Sequence, residues 1–214
     1  MKSAIIVCAG NSSRFSGGRE NKTLYLFEGK PIFLYSVNVF ERLNFDLIVI
    51  VIKAEERKSF DKYLNPKLKI VYGGPRRQDS VLNALDLVPA DSEVLVHDGA
   101  RPFLTNKVVK DVLSEIRSKR CVVPAIKSED TIRIENAGKY TLFDRNKVFR
   151  MQTPQGCIAG ELASLYKKFS HVDLLDDASA FEIEGLEVKL IEGDKRNIKI
   201  TTKEDIKILQ ALLQ

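Results

Sequence analysis

The sequence predicts an α/β fold: a mostly parallel sheet with helices on both faces and one inserted β-hairpin. Three observations predict it. Short runs rich in Val, Ile and Leu recur along the chain, and stretches of helical period separate them. Those runs also lack the in–out alternation of a half-exposed strand, as expected of strands buried on both faces.

Taken in order, Ala4–Cys8 is the first strand. Pro31–Leu43 is a helix, with Pro where the first turn tolerates it and Phe33, Leu34, Val37, Phe40 and Leu43 along one stripe. Leu47–Ile52 and Leu68–Tyr72 are strands, and Asp79–Leu87 is a helix through Val81, Leu82 and Leu85. Strand Glu93–His97, helix Asn106–Ile116 and strand Cys121–Ile126 repeat the rhythm. Thr131–Glu135 then alternates apolar and polar, Asn136–Lys139 carries turn chemistry, and Tyr140–Phe143 is strand-like again, which predicts a hairpin arm over about 128–148. An isolated ribbon is marginal in water, so the arm is expected to pack on a second subunit; folding back on its own domain is the alternative. Helices near Glu161–Lys168 and Asp176–Glu184, strand Glu187–Ile191 and a helix from Thr202 close one domain over 1–214. The expected architecture is Rossmann-like.

The composition is that of an ordinary globular protein, with 44% hydrophobic and 29% charged residues and a net charge of +5. That excess suits anionic ligands without requiring nucleic acid. Cys8, Cys121 and Cys157 form no CxxC pair and are expected as separate thiols in a reducing, cytoplasmic setting. No apolar run is long enough for a membrane span or a secretory signal, so no membrane partner is expected.

In open α/β sheets ligands bind beyond the carboxyl ends of the strands. After the first strand come Ala9, Gly10, Asn11, Ser12, Ser13 and Arg14, with Lys22 beyond. Small residues let backbone N–H groups approach a phosphate, although an ordinary connection is the competing reading. After Tyr72, Gly73-Gly74-Pro75-Arg76-Arg77 precedes Asp79 and Ser80, either of which could cap the next helix. After the fourth strand, Asp98 could hold Mg²⁺ against substrate phosphates, or merely pair with Arg101 and pin the turn. His97 is expected to pack at the strand end and His171 to lie on the surface. No Cys–His pair, no Gly-x-Ser-x-Gly elbow and no triad is present. What remains suits nucleotidyl transfer, where the protein supplies position and charge neutralisation.

These pieces, together with Asp130-Thr131, Asp144-Arg145-Asn146, Thr153-Pro154-Gln155, Asp176-Asp177-Ala178-Ser179 and Asn197-Ile198-Lys199, follow one another as in a known family. Over its whole length the chain resembles the sugar-phosphate cytidylyltransferases, most closely the 2-C-methyl-D-erythritol 4-phosphate cytidylyltransferase family. The resemblance implies that CTP and the methylerythritol phosphate give a CDP-alcohol and pyrophosphate, with a divalent cation such as Mg²⁺ held by Asp98. It implies catalytic roles for Arg14, Lys22 and Lys199. It implies CTP binding by Ala9–Ser13, Gly74, Pro75, Ser80, Asp98 and Gly99. Arg101, Thr131, Arg145, Thr153 and Asp176 would bind the alcohol phosphate, with Thr131 and Arg145 reaching a neighbour through an arm exchanged in a homodimer. Four residues depart from the family pattern. Cys8 replaces an alanine without changing the cradle; Asn21 stands where proline is usual, which predicts a looser turn. Pro75 leaves only backbone contacts to the base, and Leu175 replaces a hydroxyl residue, which makes Asp176 the safer carry-over. The alternatives are a relative acting on another polyol phosphate, such as ribitol 5-phosphate, and, more distantly, a non-enzymatic module binding nucleotide or nucleic acid.

Overall fold

Along the first strand, Lys2–Val7 (β1), side chains alternate between two cores: Ala4 and Ile6 enter one apolar cluster and Ile5 another, all three fully buried. This is why the run is apolar without alternating. The computed structural model describes residues 1–18 and 20–213. Its early elements are α1 (Ser13–Ser16), a small hairpin of β2 (Leu26–Phe27) and β3 (Lys30–Pro31), α2 (Ile32–Arg42), β4 (Leu47–Ile52), α3 (Arg57–Asp61) and β5 (Leu68–Tyr72). There follow α4 (Arg77–Leu85), β6 (Glu93–Asp98), α5 (Asn106–Glu115), β7 (Arg120–Lys127), the arm strands β8 (Ile132–Asn136) and β9 (Lys139–Phe143), then β10 (Phe149–Met151) and β11 (Gln155–Ile158). The chain closes with α6 (Ala159–Lys168), α7 (Ala178–Glu184), β12 (Glu187–Glu192) and α8 (Glu204–Leu213).

Among the described residues the main sheet runs β10-β7-β11-β6-β1-β4-β5, with β12 also paired to β7. β6, β1, β4 and β5 are mutually parallel, and β12 is parallel to β7. Val7 pairs with both Val51 and Asp98, and Ile52 with Tyr72, so these four strands end level at one edge. One face packs Phe33, Val37 and Phe40 of α2 and Val109 and Val112 of α5; the other packs Val81 of α4, Tyr166 of α6 and Phe181 of α7. No helix among the described residues is long and apolar enough to cross a membrane.

The expected strands and helices form within a few residues of their expected bounds. Of the strands, β2, β3, β10 and β11 have no counterpart in the sequence reading, and β11 lies antiparallel between β6 and β7. β11 is four residues long and carries Gly156, so neither length nor β-propensity marks it. The glycine is required, because a Cβ there would stand 2.5 Å from Val112 Cγ1 and 2.9 Å from Ile116 Cδ1. Helix α4 begins two residues earlier than expected, since Asp79 works from inside the first turn: its carboxylate accepts from the Arg76 N–H at 3.1 Å.

The arm is a hairpin turned at Ala137 and Gly138, both at positive φ, as the Asn136–Lys139 turn chemistry requires. A hydrogen bond from Ser128 N–H to Val148 O (2.9 Å) closes its base. Its side chains stand in the open, with Tyr140 71% and Leu142 62% exposed.

Candidate active site

Two cavities, of about 370 and 430 Å³, meet at the level strand ends, and Arg77, Asp98 and Lys199 line both. The first is walled by the loop after β1. Ser12 holds φ +49° there, and its carbonyl accepts from Phe15 and Ser16 N–H, which turns Asn11–Arg14 around the mouth. Phe15 is buried with Phe27, Ile32, Ala100 and Ile200, so Arg14 and Lys199 flank one small apolar cluster. Lys22 opens a 3-10 turn, Lys22–Leu24, and its N–H donates to Ser12 Oγ at 3.1 Å. The expectation of a loose turn at Asn21 is not met, for its side chain makes four hydrogen bonds.

The opposite wall is the loop between β5 and α4. A Cβ on Gly73 would stand 2.6 Å from Ala9 Cβ, so glycine there lets this backbone lie against the first loop, and one on Gly74 would stand 2.5 Å from Asp79 Cβ, so glycine there lets it fold onto the start of α4. Ser80 Oγ accepts from Gly74 N–H (3.0 Å) and donates to Arg76 O (3.1 Å), bracing the loop from inside.

At the floor, Asp98 ends β6 and faces three cations: Lys199 Nζ at 2.8 Å, Arg101 Nε at 3.5 Å and Arg77 Nε at 3.7 Å. Burial alone would raise its pKa, but Lys199, Arg77 and Arg101 outweigh it and hold the carboxyl well below the usual range. Of the two sequence options, the pairing of Asp98 with Arg101 is present, yet Asp98 lies closer to Lys199. Lys199, far along the chain from Asp98, is held in place by bonds that its neighbours make to distant segments. Asn197 Nδ2 donates to Thr153 O (2.8 Å), Arg101 Nη1 donates to Asn197 O (2.7 Å), and Ile200 N–H donates to Ala100 O. Lys22 is half-buried and its pKa is lowered, first by burial and then by the charges of Lys199 and Arg14.

His97 packs at the strand end as expected, between Ser36 Oγ, Thr153 Oγ1 and Arg101 O. Burial pushes its pKa down to about 4, so the ring is neutral at pH 7 and serves as a spacer. In the second cavity Asp176 accepts from Gln155 Nε2 (2.8 Å) and from Ser179 N–H and Oγ, while Thr153 Oγ1 accepts from Asp98 N–H. Leu175, 91% exposed, stands on its rim.

Of the residues singled out in the sequence, Ala9–Arg14, Lys22, Gly74, Pro75, Ser80, Asp98 and Lys199 line the first cavity. Arg101, Thr153 and Asp176 line the second. Three lie outside both. Gly99 sits beneath, where a Cβ would meet Cys8 Sγ at 2.5 Å, and Thr131 and Arg145 lie exposed on the arm. Sequence reasoning gave no role to Arg77, which joins both cavities. Its guanidinium donates to Asp177 at 2.9 and 2.8 Å, and Tyr166 Oη donates to the same carboxylate. The doubled arginine after Pro75 was the one local sign, and its partner lies a hundred residues on. Asp98 is the single carboxylate lining the first cavity, and no group of three potential metal ligands occurs among the described residues.

The chain is similar to known proteins over its whole length. A family profile described as 2-C-methyl-D-erythritol 4-phosphate cytidylyltransferase matches residues 3–214. The proteins of that name from Bacillus cytotoxicus and Clostridium acetobutylicum are 36% and 34% identical to this chain, each alignment covering all of it and 98% of the relative. Among solved structures, the 4-diphosphocytidyl-2C-methyl-D-erythritol synthase of Anaerococcus prevotii superposes with a TM-score of 0.85 at 28% identity, over 100% of this chain and 96% of that one. The Francisella tularensis 2-C-methyl-D-erythritol 4-phosphate cytidylyltransferase gives 0.82 at 28% identity, over 98% of both chains.

Proposed function

The chain belongs to the 2-C-methyl-D-erythritol 4-phosphate cytidylyltransferase family of nucleotidyltransferases, and we propose that its two adjoining cavities hold the two substrates of that reaction, CTP in the first and the methylerythritol phosphate in the second. The observation that carries this reading is the convergence of Arg14, Lys22 and Lys199 on one cavity whose single carboxylate is already neutralised. That leaves the cavity strongly positive, which suits a triphosphate.

The alcohol's phosphate oxygen attacks the α-phosphorus of CTP, the bond to the bridging oxygen breaks, and pyrophosphate leaves. A phosphate oxyanion is nucleophilic at neutral pH, so no general base is required, in keeping with a neutral, buried His97. The backbone from Ala9 to Ser13 cradles the phosphates. Arg14, Lys22 and Lys199 balance the charge that builds on the α-phosphate. The Gly74–Pro75 backbone, braced by Ser80, reads the cytosine edge. Arg101, Thr153 and Asp176 receive the alcohol phosphate. Asp98 would be the residue to hold a magnesium ion brought in on the triphosphate, and the ion would supply further neutralisation of the phosphates. The exposed arm docks on a second copy of the chain, where Thr131 and Arg145 complete the partner's alcohol site.

Pyrophosphate release tests the reading, with CTP, UTP and ATP each offered against methylerythritol phosphate and ribitol 5-phosphate. The expected result is turnover with CTP and methylerythritol phosphate well above every other pair. Preference for ribitol 5-phosphate would reassign the alcohol, and no turnover with CTP would end the proposal. For the arm, a chain lacking residues 131–143 is expected to sediment as a monomer with a raised KM for the alcohol. A deletion that stays dimeric would show that the arm is not the interface.

A further inference from the structure

Lys22 has a difficult position. It shares its cavity with Arg14 and Lys199, two like charges, and hangs on a four-carbon stem from a turn of only three residues. Something must fix the start of that stem. The residue before it, Asn21, uses the full hydrogen-bonding capacity of its amide. Nδ2 donates to Cys8 O at 2.9 Å and to Glu56 Oε2 at 2.7 Å; Oδ1 accepts from Thr23 N–H at 3.0 Å and Thr23 Oγ1 at 2.8 Å. The four bonds reach three different supports. Cys8 directly follows β1 and is itself tied to β4 by its N–H to Val51 O, Glu56 closes a 3-10 turn after β4, and Thr23 lies in the turn that Lys22 begins. On its other side Lys22 is held through its own N–H by Ser12 of the phosphate loop.

We propose that Asn21 is a positioning residue for Lys22, clamping its turn to the ends of β1 and β4 so that the ammonium group stays aimed at the α-phosphate site. The inference rests on the role given to Lys22 above. It assigns Asn21 no contact with substrate; the amide acts by fixing the backbone from which the lysine reaches. Glu56 belongs to the same clamp, as the charged acceptor that orients Nδ2. Removing the clamp costs catalysis more than binding, because a ground-state triphosphate still meets Arg14, Lys199 and the loop backbone, whereas the α-phosphate in displacement depends on an ammonium placed within a fraction of an ångström.

The experiment compares Asn21→Ala, Asn21→Asp and the reversed pair Asn21→Asp/Glu56→Gln with Lys22→Ala and the unaltered enzyme, reading kcat and KM for CTP by pyrophosphate release. Asn21→Ala is expected to lower kcat about tenfold or more while KM for CTP stays within about threefold. Asn21→Asp sets two carboxylates face to face; adding Glu56→Gln lets Gln donate to Asp across the same gap, and about fivefold or more of the lost kcat is expected to return. If Asn21→Ala does not fold, the Asp variant and its reversed pair decide alone. The inference is overturned by folded Asn21→Ala enzyme with kcat within about twofold of normal, or by a reversed pair no faster than Asn21→Asp. If Lys22→Ala is impaired in those cases, only the assignment to Asn21 has failed. If Lys22→Ala turns over normally, the role of Lys22 and the inference fall together.

Discussion

Lys22→Ala is expected to lower kcat about a thousandfold, on the order of 4 kcal/mol of transition-state stabilisation, and to leave the unfolding midpoint close to that of the unaltered protein. The two halves of this expectation have one cause. In the folded protein without nucleotide, Lys22 gives up hydration and faces the charges of Lys199 and Arg14, which is why its pKa is lowered. Removing it relieves that repulsion, so the fold loses little. During transfer the α-phosphate gathers negative charge between attacking and leaving oxygens, and a cation whose favourable partner appears only then contributes to rate. The measurement pairs pyrophosphate release under saturating CTP with urea unfolding. A variant with near-normal kcat would remove Lys22 from the catalytic set; a large loss of stability would mean that the side chain supports the loop.

Asp177→Ala is expected to cost about 3–5 kcal/mol of stability. Asp177 is the buried counter-charge of Arg77, held by two short bonds, and it also accepts from the buried Tyr166 hydroxyl. Its loss leaves a guanidinium and a phenol without their acceptor in the core between α4, α6 and α7. The cost belongs to the orphaned partners, so removing both charges is expected to be milder. The double variant Arg77→Met/Asp177→Leu should recover a large part of the stability in urea unfolding. Its turnover should remain low, since Arg77 lines both cavities and approaches Asp98. A single variant within about 1 kcal/mol of the unaltered protein would contradict this account of the pair.

The sheet was legible because its central strands are buried on both faces, which writes an unbroken apolar run such as Leu47–Ile52 into the chain. The amphipathic helices were legible by period, and the arm by alternation around a turn. β11 was not: a four-residue strand with a glycine chosen for the close approach of α5 has no local signature. The site divides in the same way. Residues that follow a strand directly, from Ala9 to Arg14 and at Asp98, could be placed from sequence because strand ends define the edge where ligands sit. Lys199 came from resemblance alone; its position depends on Asn197 and Ile200 meeting Thr153 and Ala100 across the chain. The Arg77–Asp177 pair and the Asn21–Glu56 clamp join residues 100 and 35 positions apart, and spacing carries no trace of either.

In the proposed reaction Arg14 and Lys22 together hold the innermost phosphate of a bound nucleotide. A crystal structure with CTP, or with its non-cleavable α,β-methylene analogue, tests it most directly. The account predicts Lys22 Nζ and the Arg14 guanidinium at about 3 Å from α-phosphate oxygens, with the outer phosphates on the backbone of Gly10–Ser13. A triphosphate seated in the first cavity with both cations turned away from the α-phosphate, or seated outside that cavity, would contradict it.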